Sequence, residues 1–149
     1  MFRRASLLIA IFIIALGSSS VATIRAEQIV WSGIIVASNS GPPDPTAPEL
    51  APLEGTLRQV FGYNRFHLIG EARKILKSGE EDWLATTKYF ALRVDARGQK
   101  AGAYVLNLKL FQENKMLLET SAQLSKASPL VIRGPQIGDG QLVIVLVLQ

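Results

Sequence analysis

The chain has 149 residues, 48% of them hydrophobic, with no cysteine, one histidine and a formal charge of +4. Lack of cysteine excludes disulfide stapling, thiol catalysis, thiolate metal ligation and lipid attachment through an N-terminal Cys, and His67 alone gives no His pair for zinc. Arg3, Arg4 and Arg25 fall within residues 1–26; the other 123 residues carry 13 basic against 12 acidic side chains, spread without a cluster, which argues against nucleic acid as a partner.

Residues 1–26 have the form of a secretory signal peptide. Arg3 and Arg4 precede the apolar run Leu7 to Leu16, and Gly17-Ser18-Ser19-Ser20 leads to small residues at Ala22 and Ala26. The apolar run has 10 residues, where a membrane-spanning helix needs roughly 20. Cleavage is expected after Ala22 or Ala26, giving an exported protein, periplasmic or extracellular, with no integral membrane span. Residues 27–149 then form a single small β-rich domain, a suitable size for one core.

In chain order, Gln28 to Ala37 is β-branched and apolar on both faces, with Ile29, Trp31 and Ile35 on one and Val30, Ile34 and Val36 on the other. Such a strand must be inserted into a sheet, either its own beside a central strand such as Leu142 to Leu148, or that of a neighbouring molecule. The Pro-rich linker over 38–48 would be the hinge for such an exchange, since about 11 extended residues span about 36–40 Å. Leu50, Leu53, Leu57, Val60 and Phe61 form one apolar stripe, predicting a helix over 50–61 with Pro52 in its first turn and Gly62 closing it.

The period falls to two at Arg65, with Gly70 interrupting as a bulge, and antiparallel strands are expected over 65–148. Lys77 to Glu81 reads as a turn, Tyr89 to Val94 as a strand, and Asp95-Ala96-Arg97-Gly98 as the turn that ends it. Tyr104, Leu106, Leu108 and Leu110 alternate with Val105, Asn107 and Lys109 in a half-buried strand. A three-residue loop with left-handed Asn114 would set Leu108 opposite Leu118 and Asn107 opposite Glu119; a two-residue loop would set Leu108 opposite Glu119, and the first is preferred. Pro129 to Arg133 is a short strand, Gly138-Asp139-Gly140 a turn, and Leu142 to Leu148 a central strand covered on both sides. The fold class is α+β: one amphipathic helix packed on a curved, mainly antiparallel sheet or half-sandwich of seven or eight strands. Leu53, Leu57, Val60 and Phe61 are expected to pack on Leu106, Leu108, Ile144 and Leu146.

Three segments together resemble a family of small exported bacterial envelope proteins without an assigned activity. They are Val36-Ala37-Ser38-Asn39 with the Asp-Pro-containing linker, the run from Leu50 through Leu57-Arg58, Phe61, Tyr63 and Phe66 to Leu68, and Gly134-Pro135…Gly138-Asp139-Gly140…Leu142-Val143-Ile144. Gln136-Ile137 departs from the pattern, where a basic or aromatic pair is expected. The resemblance implies a β-rich fold and an envelope location, and no reaction.

Candidate chemistry is sparse. His67 can change charge near neutral pH, yet it alternates with Phe66 and Leu68, so it is expected to point away from the core, with no local nucleophile or carboxylate partner. Glu80, Glu81 and Asp82 read as a solvated turn rather than a facing carboxylate pair or a calcium loop. Gly134 to Gly140 lacks both the following helix and the lysine of a phosphate loop. No catalytic residue, cofactor site or metal site is assigned. Trp31, Trp83, Tyr63, Tyr89 and Tyr104 are the aromatic residues a sugar platform would draw on. Burial at strand or helix ends accounts for four of them, leaving Trp83 as the exception. The leading expectation is a non-catalytic envelope protein acting through a protein partner or self-association at an exposed sheet edge. The alternatives are a glycan- or lipid-binding module using Trp83 and Tyr89, and a small hydrolase using His67.

Overall fold

The computed structural model describes residues 28–42, 47–77 and 81–149, with backbone alone over 81–85. The leader, part of the linker and Glu80 lie outside the described residues. The elements are β1 (Ile29–Ser38), a 3-10 turn (Ala51–Leu53) leading into α1 (Glu54–Phe61), β2 (Arg65–Ile75), β3 (Glu81–Thr86), β4 (Phe90–Lys100), β5 (Ala103–Gln112), β6 (Lys115–Leu124), β7 (Leu130–Ile137) and β8 (Gly140–Leu148). They form two four-stranded antiparallel sheets, ordered β2-β1-β8-β7 and β3-β4-β5-β6. Among the described residues this is an α+β arrangement with one short helix.

Two distinct apolar clusters explain the layering. Val30, Ile34, Leu142, Ile144, Leu146 and Leu148 of the first sheet meet Leu92, Val94, Leu106, Leu108 and Leu110 of the second. The opposite face of the first sheet, with Trp31, Ile35, Val143 and Val145, packs on Leu50 and Leu57 of the helical segment. β1 and β8 are therefore apolar on both faces because the sheet is covered on both sides. β4 and β5 have one covered face, and they alternate.

β1 pairs with β8 on one side and β2 on the other, so it completes its own sheet beside the expected central strand. The helix, however, covers the face of β8 opposite to the one expected. Leu57 belongs with Val143 and Val145, whereas Leu106, Leu108, Ile144 and Leu146 lie in the core between the sheets. Val60 is 59% exposed and does not join the packed stripe. The helix ends at Gly62 (φ 72°), whose N–H donates to the Arg58 carbonyl at 2.9 Å. That left-handed cap is why glycine stands there.

The helical layer is tied down by polar contacts. Trp31, wholly buried, donates from Nε1 to Glu71 Oε2 at 2.8 Å, and Arg73 pairs with Glu49. The indole lies so close to Gly33 that a Cβ there would stand 2.5 Å from its ring. At the end of this sheet, Asn39 Oδ1 accepts from the Asn64 N–H (2.9 Å) and Ser40 Oγ donates to Asp139 (3.0 Å). The segments that carry the family resemblance thus meet at one place.

Register departs from expectation where bulges intervene. Ile69, just before Gly70, is the extra residue in β2, since Ile34 faces Gly70 and Ile35 faces Leu68. β4 does not stop at Asp95. It runs to Lys100 with a bulge at Arg97–Gly98 (Gly98 φ 137°), and the turn follows at Ala101-Gly102 with both residues at positive φ. The β5–β6 turn has two residues, Glu113 and Asn114, at φ 46° and 69°. An extra residue, Leu117, then shifts the pairing, so Leu110 faces Leu118, Leu108 faces Thr120 and Asn107 faces Ser121. Neither anticipated register occurs. The bulge restores the inward face of β6, which a plain two-residue turn would have reversed.

Candidate ligand site and free sheet edge

Tyr89 is not accounted for by burial; it is 50% exposed at the turn between β3 and β4. Its position is fixed by its own backbone. The Tyr89 N–H donates to Thr87 Oγ1 (3.2 Å), and its carbonyl accepts from the Glu113 N–H (3.1 Å). Thr87 Oγ1 also accepts from the Phe90 N–H at 2.8 Å, and the Thr87 N–H donates to the Phe90 carbonyl at 2.7 Å. A serine- or threonine-type turn of this kind replaces missing ladder bonds with side-chain ones.

The Glu113–Tyr89 bond joins the tip of the β5–β6 hairpin to the β3–β4 turn. Between them lies a groove of about 290 Å³, lined by Lys88, Tyr89, Arg93, Phe111, Glu113 and Asn114 among others. Lys88 Nζ sits 5.3 Å from the Tyr89 ring centroid, within cation–π range. Trp83 stands opposite Arg93 in the β3–β4 ladder, which places its backbone beside the same strand. Glu81 and Asp82, read as part of a turn, are instead the first residues of β3 and pair with Asp95 and Val94. Trp31 and Tyr104 are buried, and Tyr63 packs in the helical layer.

His67 is exposed on β2 and pairs with Val36, while Phe66 and Leu68 pack toward the helix. Among the described residues no group of three His, Asp or Glu side chains is placed to hold a metal ion. Gly138-Asp139 forms a two-residue hairpin turn with Gly138 at φ 56°, feeding β8. A Cβ on Gly140 would lie 2.9 Å from the Ala37 carbonyl oxygen, so close strand packing explains that glycine.

The four sheet edges differ in how they are protected. β2 carries the Ile69 bulge, and at Gly70 a Cβ would meet Thr87 Cγ2 at 2.6 Å, so the β3–β4 turn abuts it. β3 is six residues long. β7 contains Pro135, which lacks an N–H, and leaves register between Arg133 and Gln136. β6, by contrast, keeps regular register from Leu118 to Leu124 and contains no proline. Leu117 and Leu118 at this edge are only partly buried against the core. This contrast was not legible in the sequence, because an edge strand is defined by what fails to pair with it.

No helix among the described residues is long and apolar enough to cross a membrane. In comparisons with known proteins, no family model, curated protein or solved structure matches the chain.

Proposed function

We propose that this chain is an exported, non-catalytic envelope protein that acts by accepting an extended segment of a partner polypeptide on the edge of β6. The observation that carries this reading is the unequal protection of the edges: β2, β3 and β7 are bulged, short, abutted or interrupted by proline, whereas β6 offers seven residues in unbroken register, Leu118 to Leu124. An edge of that kind supplies a row of main-chain donors and acceptors for strand addition, and neighbouring side chains supply selectivity. The half-buried Leu117 and Leu118 supply apolar surface that an added strand would cover. The leader-like residues 1–26 and the likeness to small exported envelope proteins support the compartment.

Site-directed photocrosslinking on the full-length protein in its native cells tests the proposal. A crosslinker at exposed Gln123 of β6 should capture one polypeptide, mapped by mass spectrometry to an extended segment, while the same group at Val60 on α1 should not. Ala122→Lys, which puts an inward-pointing charge on the edge, should abolish capture while the protein remains folded. Equal capture at both positions, or capture that survives Ala122→Lys, refutes docking at β6.

A further inference from the structure

The groove between the two hairpin tips has features that neither the core nor the β6 edge requires. Its aromatic ring is half exposed, yet both backbone polar groups of Tyr89 are held, by Thr87 Oγ1 at 3.2 Å and the Glu113 N–H at 3.1 Å. A rigidly presented, exposed tyrosine offers contact area at small ordering cost, which is how aromatic residues serve as binding platforms. Phe111, opposite Ala91 in the ladder, extends the apolar floor. Glu113 stands at φ 46°, a left-handed conformation that a non-glycine residue seldom adopts, and its N–H is the one that reaches Tyr89. Strained backbone joining two tips fits a site whose geometry is set before a ligand arrives.

The polar lining narrows the ligand class. Lys88 and Arg93 contribute two positive charges against the single carboxylate of Glu113, so the groove favours a ligand carrying negative charge. Glu113 accepts hydrogen bonds, and the Asn114 carboxamide both donates and accepts, a combination suited to hydroxyl groups. A volume of about 290 Å³ suits a ring-sized group rather than a long chain. We infer that the joined hairpin tips bind an acidic saccharide, with one pyranose ring stacked on Tyr89 and its carboxylate facing the Lys88 and Arg93 cations. Phe111 contacts the apolar face of the ring, and Glu113 and Asn114 engage its hydroxyls. This site is separate from the β6 edge and does not depend on partner docking there.

Calorimetric titration of the full chain with trigalacturonate, galactotriose and adenosine monophosphate tests the inference. Trigalacturonate should bind, and galactotriose should bind about tenfold or more weakly, because it lacks the carboxylates. Tyr89→Ala should weaken trigalacturonate binding about tenfold or more with an unchanged thermal midpoint, since the ring contributes little to the core. Arg93→Gln should reduce the preference for the acidic over the neutral trisaccharide. Failure of trigalacturonate to bind at millimolar concentration overturns the inference. So does binding unaffected by Tyr89→Ala, or tighter binding of adenosine monophosphate, which would make the groove a nucleotide site. If Tyr89→Ala lowers the midpoint, Tyr89→Phe provides the second test: it retains the stacking ring and should bind within a few-fold of the parent, and a tenfold loss would refute stacking.

Discussion

Substituting alanine at two glycines should move stability in opposite directions, and the structure supplies both signs. At Gly33 an added Cβ would lie 2.5 Å from Trp31 Cη2 and 3.1 Å from Leu68 Cδ1. Ordinary carbon–carbon contact is about 3.5–4.0 Å, so the indole must retreat by about 1 Å or more. Trp31 is wholly buried and held by its hydrogen bond to Glu71, so it has no free direction to yield. Overpacking of this kind costs about 1–3 kcal/mol, and disturbing a hydrogen bond to a charged group adds up to about 1.5–3 kcal/mol. Gly33→Ala should therefore destabilise by about 2–4 kcal/mol. At Gly55, within α1, an added Cβ meets nothing within 4 Å, and Gly→Ala should stabilise by about 0.4–1 kcal/mol through lost freedom of the unfolded chain. Urea denaturation followed by far-ultraviolet circular dichroism reads both midpoints, with slopes compared to exclude a changed unfolded state. A cost at Gly33 below about 0.5 kcal/mol would refute the tight seating of Trp31 over β1.

Leu57→Ala should cost about 2–5 kcal/mol, a large part of a typical total of about 5–15 kcal/mol, whereas Val60→Ala on the exposed side should stay within about 0.5 kcal/mol. Equal midpoints for the two in denaturant would mean that α1 does not seal the outer face of the first sheet. Deleting Ile29–Ser38 removes the strand between β2 and β8, and should give an aggregating chain by light scattering; a folded monomer rescued by added peptide would instead indicate strand exchange. Any catalytic activity discovered should survive His67→Ala within a few-fold, while a loss of about 10²–10⁴-fold in turnover would make His67 a general base. Intact-mass measurement of exported protein should place the mature N-terminus at Thr23 or Glu27, and a mass retaining Leu7 to Leu16 would indicate an anchored form.

Much of the layering was written in local pattern. Unbroken apolarity in β1 and β8 marked strands covered on both faces, and alternation in β5 marked a strand covered on one. The stripe Leu50, Leu53, Leu57 with Gly62 behind it marked the helix and its end. These features depend on spacing along one segment, so a reader of the sequence recovers them. The strand Glu81–Thr86 escaped notice because it is short and opens with two acidic residues, although Trp83-Leu84-Ala85-Thr86-Thr87 carried some strand-forming character.

What periodicity leaves open is which neighbour covers which face. Val143 and Val145 are as apolar as Ile144 and Leu146, so only the tertiary structure decides that α1 lies on the valine side. The residues inserted at Ile69, Arg97 and Leu117 likewise have no local signature, because a bulge is a mismatch between two strands rather than a property of one. The same reason hid the candidate ligand site. Tyr89 read as one more strand-end aromatic until the Glu113 N–H, from a different hairpin, was found holding its carbonyl. Local spacing determined the strands, the helix and their apolar faces; long-range hydrogen bonding determined register, free edge and groove, because those belong to pairs of segments that the chain brings together only on folding.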